Sequence, residues 1–162
     1  MPGRDFLRTM ALAAMLVCAA ATGALACANP PQPELPRSAL LIDTATGQEG
    51  FSVEVARTPE QKSCGLMLRQ RLGHGEGMLF VHQPPSEAWM WMQNTPIPLD
   101  MIFISPMGRI VHIIRNTRPF SMETIGTAEI VSGVLEVRAG TVDRLGIKLG
   151  DKVRHQTFGV GG

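Results

Sequence analysis

The sequence predicts a mainly β fold: a jelly-roll-like two-sheet β-sandwich of about eight strands with one short α-helix. Three observations predict it. From Leu40 onward short apolar runs recur at intervals of about ten residues, separated by Gly, Pro, Asn and Asp, the spacing of antiparallel strands in a sandwich or barrel. Phe51, Val53 and Val55 alternate with Ser52 and Glu54, as a half-buried strand requires. Thr58-Pro59-Glu60-Gln61 combines a capping hydroxyl, Pro at the first helical position and Gln at the third, which starts a helix.

Residues 1–26 read as a secretory signal peptide. Arg4 and Arg8 precede the apolar run from Met10 to Val17, and the stretch closes on the small-x-small site Ala24-Leu25-Ala26. The run is too short to span a bilayer as a helix. Residues 27–38 follow as a Pro-rich linker, with four prolines between Asn29 and Pro36 favouring an extended spacer. A single domain is expected over 39–158, then a disordered Gly-rich tail over 159–162. Within the domain, strands are expected near 39–43, 50–56, 77–82, 87–92, 100–105, 109–114, 129–137 and 152–157.

The helix should run from about Pro59 to Arg69, with Cys64, Met67 and Leu68 on one face. Gly65 inside it costs roughly 1 kcal/mol against Ala, so close packing is expected there. Gly73 to Gly77 is a loop, not a phosphate cradle, because no helix follows it. Met101-Ile102-Phe103-Ile104 and Ile110-Val111-His112-Ile113-Ile114 are apolar on both faces, which places their hairpin at the centre of a sheet. Its turn, Ser105-Pro106-Met107-Gly108, suits type I geometry. A short helical turn over Val142 to Leu145 ends at Gly146.

Without the leader the chain carries 13 basic and 13 acidic residues, the basic ones scattered, so nothing points to nucleic acid. Of three cysteines Cys18 lies in the leader, leaving Cys27 and Cys64. Cys27 has three fates: a lipid anchor, a disulfide with Cys64, or a free thiol. The lipid signal is imperfect, since Ala24 stands three residues before Cys27 where Leu is usual. Membrane contact is expected only through such an anchor.

The candidate site is the stretch from Trp89 to Asp100, which holds both tryptophans and a Pro-rich polar corner. Trp91 offers an aromatic face and one N–H; Asn94, Thr95 and Asp100 offer polar groups that could orient a small ligand, a sugar among them. The bland alternative is that Asn94 and Asp100 bond their own backbone to hold the corner. Met90 and Met92 alternate onto one strand face and Trp89 and Trp91 onto the other. With His82 the two thioethers form an alternative copper(I) set, against which stands ordinary core filling by Met. Glu136 lies in the apolar run Val134 to Val137, where a carboxylate needs a partner; Arg57 and Arg69 are the candidates, as an architectural clamp, and both are also counted with Trp91, Asn94, Thr95 and Asp100 as candidate ligand-binding residues. Alternatively Glu136 and Asp100 form an acid–base pair in a hydrolase.

Several motifs then coincide in order: Gly65-Leu66-Met67, Gly77-Met78-Leu79-Phe80, Trp91-Met92-Gln93-Asn94-Thr95, Pro98-Leu99-Asp100-Met101-Ile102-Phe103, Gly108-Arg109-Ile110, and Val134-Leu135-Glu136-Val137 with Ala139-Gly140 and Gly150-Asp151. Together they resemble the bacterial and archaeal family known as domain of unknown function 192, over about residues 40 to 157. The resemblance implies a compact, mostly β, jelly-roll-like domain, often exported, with no established activity. The family commonly has a Lys near Gln93 that this chain lacks, which weakens any scheme in which a cation there holds an anionic ligand. The resulting expectation is an exported, periplasmic, non-enzymatic module that needs no cofactor and binds a small molecule or an envelope component. Its alternatives are the Asp100/Glu136 hydrolase and the copper(I) protein. The sequence leaves the oligomeric state open.

Overall fold

The structure, a computed structural model, describes Cys27 and residues 31–159. The leader over 1–26 and the last residues of the Gly-rich tail lie outside the described residues. The elements in chain order are β1 (Arg37–Thr44), β2 (Gly47–Ala56), α1 (Pro59–Cys64), β3 (Glu76–Met90), β4 (Leu99–Ile104), β5 (Ile110–Ile114), β6 (Ile125–Arg138), α2 (Thr141–Leu145) and β7 (Lys152–Arg154).

The mainly β expectation holds, but the two-sheet sandwich does not: the strands form one mixed sheet in the order β5-β4-β6-β3-β2-β1-β7. Its two edges approach each other, with a bridge between Arg109 and Lys152, and Val153 N donating to Gly108 O at 2.7 Å. The sheet therefore curls towards a barrel, which leaves fewer edge groups unpaired. The β4–β5 hairpin turns as expected, with Gly108 N donating to Ser105 O at 2.9 Å. It lies at one end of the sheet and not at the centre; only β4 is buried throughout.

Parallel pairing is the second departure. β2 and β3 run parallel, and parallel neighbours need a crossover, which α1 and its following turns supply. The capping box forms as the sequence predicts: Thr58 Oγ1 accepts from Gln61 N, and Gln61 Oε1 accepts from Thr58 N. The helix stops at Cys64 and not Arg69, because Gly65 has φ 45° and Leu68 has φ 64°. The packing at Gly65 is real, since a Cβ there would lie 3.0 Å from the Phe80 ring.

The strands expected at 77–82 and 87–92 are one strand, β3, whose pairing with β6 shifts register between Val81 and Ser86 and again before Ala88. The shift bends the β3–β6 ribbon. Its outer half then lies over one face of the sheet, and Ala88, Met92 and Val131 share a core with Met78, Phe80 and Phe103. The opposite, concave face holds a second core built on Leu40, Ile42, Phe51, Leu79, Ile102 and Leu135.

The proline-rich segment has no regular structure but is held against the domain. Gln32 Nε2 donates to Gln61 O at 3.2 Å and Gly65 O at 2.7 Å, serving carbonyls at the end of α1, and Leu35 packs on the outer core. Cys27 is disulfide-bonded to Cys64, with Cα atoms 5.1 Å apart. Of the three fates open to Cys27, the structure therefore shows the disulfide, which occupies the sulfur a thioether-linked lipid would need.

Candidate functional site

A cavity of about 450 Å³ opens where three pieces of the chain meet. One wall is α1 and the turn after it, with Lys62, Leu66 and Met67. Phe80 and His82 from the inner half of β3 form the second, and Trp89, Met90 and Trp91 from the folded-back outer half form the third. Thr95 and Glu136 complete the lining. Each piece is positioned by a local cause already described: the glycine stop after α1 and the register shift in β3.

Glu136 is the chemically unusual group. Along β6 the side chains alternate, so Leu135 and Val137 enter the concave core while Val134 and Glu136 face the other way. Glu136 stands directly across from Met78 on one side and Met101 on the other. Gly77 beside it lets β3 and β6 close up, since a Cβ there would meet the Glu136 carbonyl oxygen at 2.7 Å. The residue is 4% exposed and lines the cavity; no hydrogen bond or ion pair reaches its carboxyl among the described residues, and its oxygens are not among the sealed unpartnered atoms, so the carboxyl opens onto the cavity. Burial alone pushes its pKa up to about 8, so at neutral pH it carries a proton.

Glu54 supplies the contrast. It lies in the same cross-strand row, opposite Met78, and is 1% exposed. Its carboxylate accepts from Leu35 N at 2.8 Å and from Arg69 Nη2 at 3.0 Å, and Arg37 lies 3.7 Å away. The predicted clamp of Arg69 on Glu136 is thus a correction: Arg69 serves Glu54. Arg57 is exposed at the end of β2 and does not line the cavity; it faces His155, where burial first and the Arg57 charge second hold the imidazole pKa down.

The predicted corner divides. Trp91 and Thr95 line the cavity, Trp91 being 47% exposed and Thr95 Oγ1 donating to Gln93 O. Asn94 does not line it; it takes φ 53°, and its carbonyl accepts Leu68 N at 2.7 Å, tying the corner to the turn after α1. Asp100 is fully buried on the opposite face of the sheet from Glu136, because it pairs with Val137, one residue along β6. Its oxygens accept Asn116 N at 3.0 Å and Val142 N at 2.9 Å, a structural role at the start of α2. The Asp100/Glu136 acid–base pair is therefore not formed.

The copper(I) set is also not brought together. Met92 is 1% exposed in the outer core and does not reach the cavity, whereas Met90 and His82 do line it. His82 Nδ1 lies 3.2 Å from Ser86 Oγ, and burial, aided by the Lys62 charge, lowers its pKa. Among the described residues no three His, Cys, Asp or Glu side chains cluster as metal ligands do. Strict alternation would have put Trp89 and Met90 on opposite sides, yet both line the cavity, because β3 ends at Met90 and the cavity wraps around that end. Sequence reasoning missed Lys62, Met67 and Phe80. Lys62 and Met67 stand within three residues of the glycine that stops α1, whereas Phe80 is brought to Gly65 only by the fold and carried no such signal.

The chain matches the family model described as "Uncharacterized ACR", DUF192, over residues 41–155. Two solved structures are similar. A protein from Sinorhizobium meliloti 1021, described as a "putative transcription regulator", is 38% identical with a TM-score of 0.75, covering 78% of this chain and 99% of its own. A protein of unknown function from Novosphingobium aromaticivorans DSM 12444 is also 38% identical, with a TM-score of 0.74, covering 84% of this chain and 99% of its own. No curated protein matches the chain. The chain belongs to the DUF192 family.

Proposed function

We propose that this member of the DUF192 family is an exported, non-enzymatic module that binds a small molecule in the cavity between α1 and the end of β3. The observation that carries the reading is the Glu136 carboxyl, buried at the cavity wall without a protein partner. Its oxygens open onto the cavity and are not sealed in the core, where Arg69 Nε is the buried side-chain atom without a partner among the described residues, so a ligand entering the cavity can replace water as the partner of Glu136. The cavity volume falls in the usual range for small-ligand sites, and the half-exposed indoles of Trp89 and Trp91 offer stacking faces at its mouth.

The remaining polar lining narrows the ligand. Lys62 donates to Val81 O, Thr95 to Gln93 O, and His82 is engaged with Ser86. A ligand with an apolar body and one principal polar group fits these walls better than a polyhydroxylated sugar. Glycoside hydrolysis of the usual kind needs two carboxyl groups flanking the bond; Asp100 faces away, so the hydrolase reading lacks its second group. Export is supported by the leader pattern and by the Cys27–Cys64 disulfide, which persists in oxidising compartments. The "transcription regulator" description of the S. meliloti relative finds little support here, since the sequence after the leader balances 13 basic against 13 acidic residues and scatters the basic ones.

Intrinsic fluorescence tests the reading. Titration of the disulfide-intact chain with a panel of small envelope sugars, alcohols and amines should change tryptophan emission for at least one compound. The change should be lost in Trp91→Ala, while that variant still unfolds cooperatively. No response across the panel, or an unchanged response in Trp91→Ala, contradicts the reading.

A further inference from the structure

Two buried glutamates face the same side of one cross-strand row, and the protein treats them differently. Glu54 receives two arginines and a backbone N–H. Glu136, two strands away, receives none, and its immediate neighbours in the row are the thioethers of Met78 and Met101. The fold can bring cations to a buried carboxyl on this face, and at Glu136 it leaves that place open to the cavity. Around the opening stand Met67, Met90 and Phe80, with the half-exposed Trp89 and Trp91 also in the lining and the Trp89 indole N–H donating to the Glu87 carboxylate at 3.2 Å. An acid anchor, aromatic faces and polarisable sulfurs are the surroundings that recognise organic cations.

We infer that the cavity takes a small organic monocation, a protonated amine on an apolar body, with its N–H donors on the Glu136 carboxyl and its flank against Trp89 and Trp91. This rests on the ligand-binding reading above and names its ligand class.

The charged and titratable groups around Glu136 are compatible with such an occupant. From α1 comes Lys62, whose ammonium is turned to Val81 O. Its charge is felt at His82, the neighbouring group from β3, but the Glu136 shift has burial as its cause. From β2, Glu54 is already matched by arginines, and Asp100 of β4 lies behind the sheet. Binding then proceeds as an exchange. The free site holds the neutral acid; the ammonium enters with its positive charge, the carboxyl releases one proton to solvent, and a carboxylate–ammonium pair remains. The ammonium keeps all its own protons, and no oxidant or further reactant takes part.

The test compares n-butylammonium with n-butanol, its neutral counterpart in size, on the disulfide-intact chain by titration calorimetry at pH 7 in two buffers of different ionisation enthalpy. Expected are a preference of at least about tenfold for the cation and release of close to one proton per site. Affinity for the cation should rise about tenfold per pH unit from pH 6 to 7 and level off above pH 8. Glu136→Gln, which keeps the shape and removes the acid, should lose both the preference and the proton release.

Binding of butanol as tightly as the cation, without proton release, overturns the inference and leaves the ligand-binding reading standing. Cation binding that persists in Glu136→Gln also overturns it. Failure of both probes overturns it as well, and the fluorescence panel then decides the wider reading separately. The proton count is read on the unaltered chain, so the inference remains falsifiable even if the variant folds poorly.

Discussion

At the scale of single residues, Glu136 links stability to pH. Its pKa is raised from the ordinary 4.5 to about 8, so the folded chain holds a proton that the unfolded chain gives up between those values. The native state therefore binds more protons across that window, and the stability associated with Glu136 is full below about pH 4.5 and is lost as pH rises through about 8. Glu136→Gln has no such group. It should be more stable than the parent at pH 7, on the order of 3 kcal/mol, with the difference shrinking towards pH 5. Urea unfolding of both chains at pH 5 and pH 8 checks this, and a parent more stable than the variant at pH 8 contradicts it. The sequence showed that Glu136 sat among apolar neighbours and therefore needed explaining. It could not show which arginine reaches which carboxylate, because Glu54 and Glu136 differ only in where the spacer and the turn after α1 place Leu35 and Arg69.

At the scale of elements, the cavity wall depends on how α1 is held. The disulfide ties Cys64, the last residue of α1, to Cys27, 37 positions earlier, and Gln32 covers carbonyls at the same end. A loop of that length is associated with roughly 4 kcal/mol in the chain-entropy account, and measured values more often fall at 2 to 4. Reduction should therefore lower the unfolding midpoint by several degrees and diminish any ligand-induced fluorescence change, since Lys62, Leu66 and Met67 move with α1. Thermal scans with and without dithiothreitol check this; coincident midpoints contradict it. The start of α1 was legible because a capping box is local in sequence. Its end was not, because the positive φ at Gly65 and Leu68 answers to Phe80 and to Asn94, partners distant in the chain.

At the scale of the whole molecule, the periodic apolar runs revealed the β class but not the topology. Strand spacing is the same whether neighbours pair antiparallel in two sheets or curl in one, and the parallel β2–β3 pair is fixed only by how α1 crosses over. The same blindness hid the site. The sequence pointed to Trp91 and Thr95, but the third wall arises because the β3–β6 ribbon bends and lays its outer half over Met78 and Phe80. That fold-back brings Trp89 and Trp91 to the cavity that Glu136 lines, although Glu136 is paired with the opposite end of β3.

The central claim is that Glu136 is an unpartnered acid awaiting a ligand, and the carboxyl's own titration tests it most directly. Carbon-13 NMR of the Glu136 side-chain carboxyl, assigned by comparison with Glu136→Gln, should show a single titration with a midpoint near pH 8 in the ligand-free chain. A midpoint near the ordinary 4.5 would mean that the carboxyl is charged and satisfied within the protein, and would contradict the account.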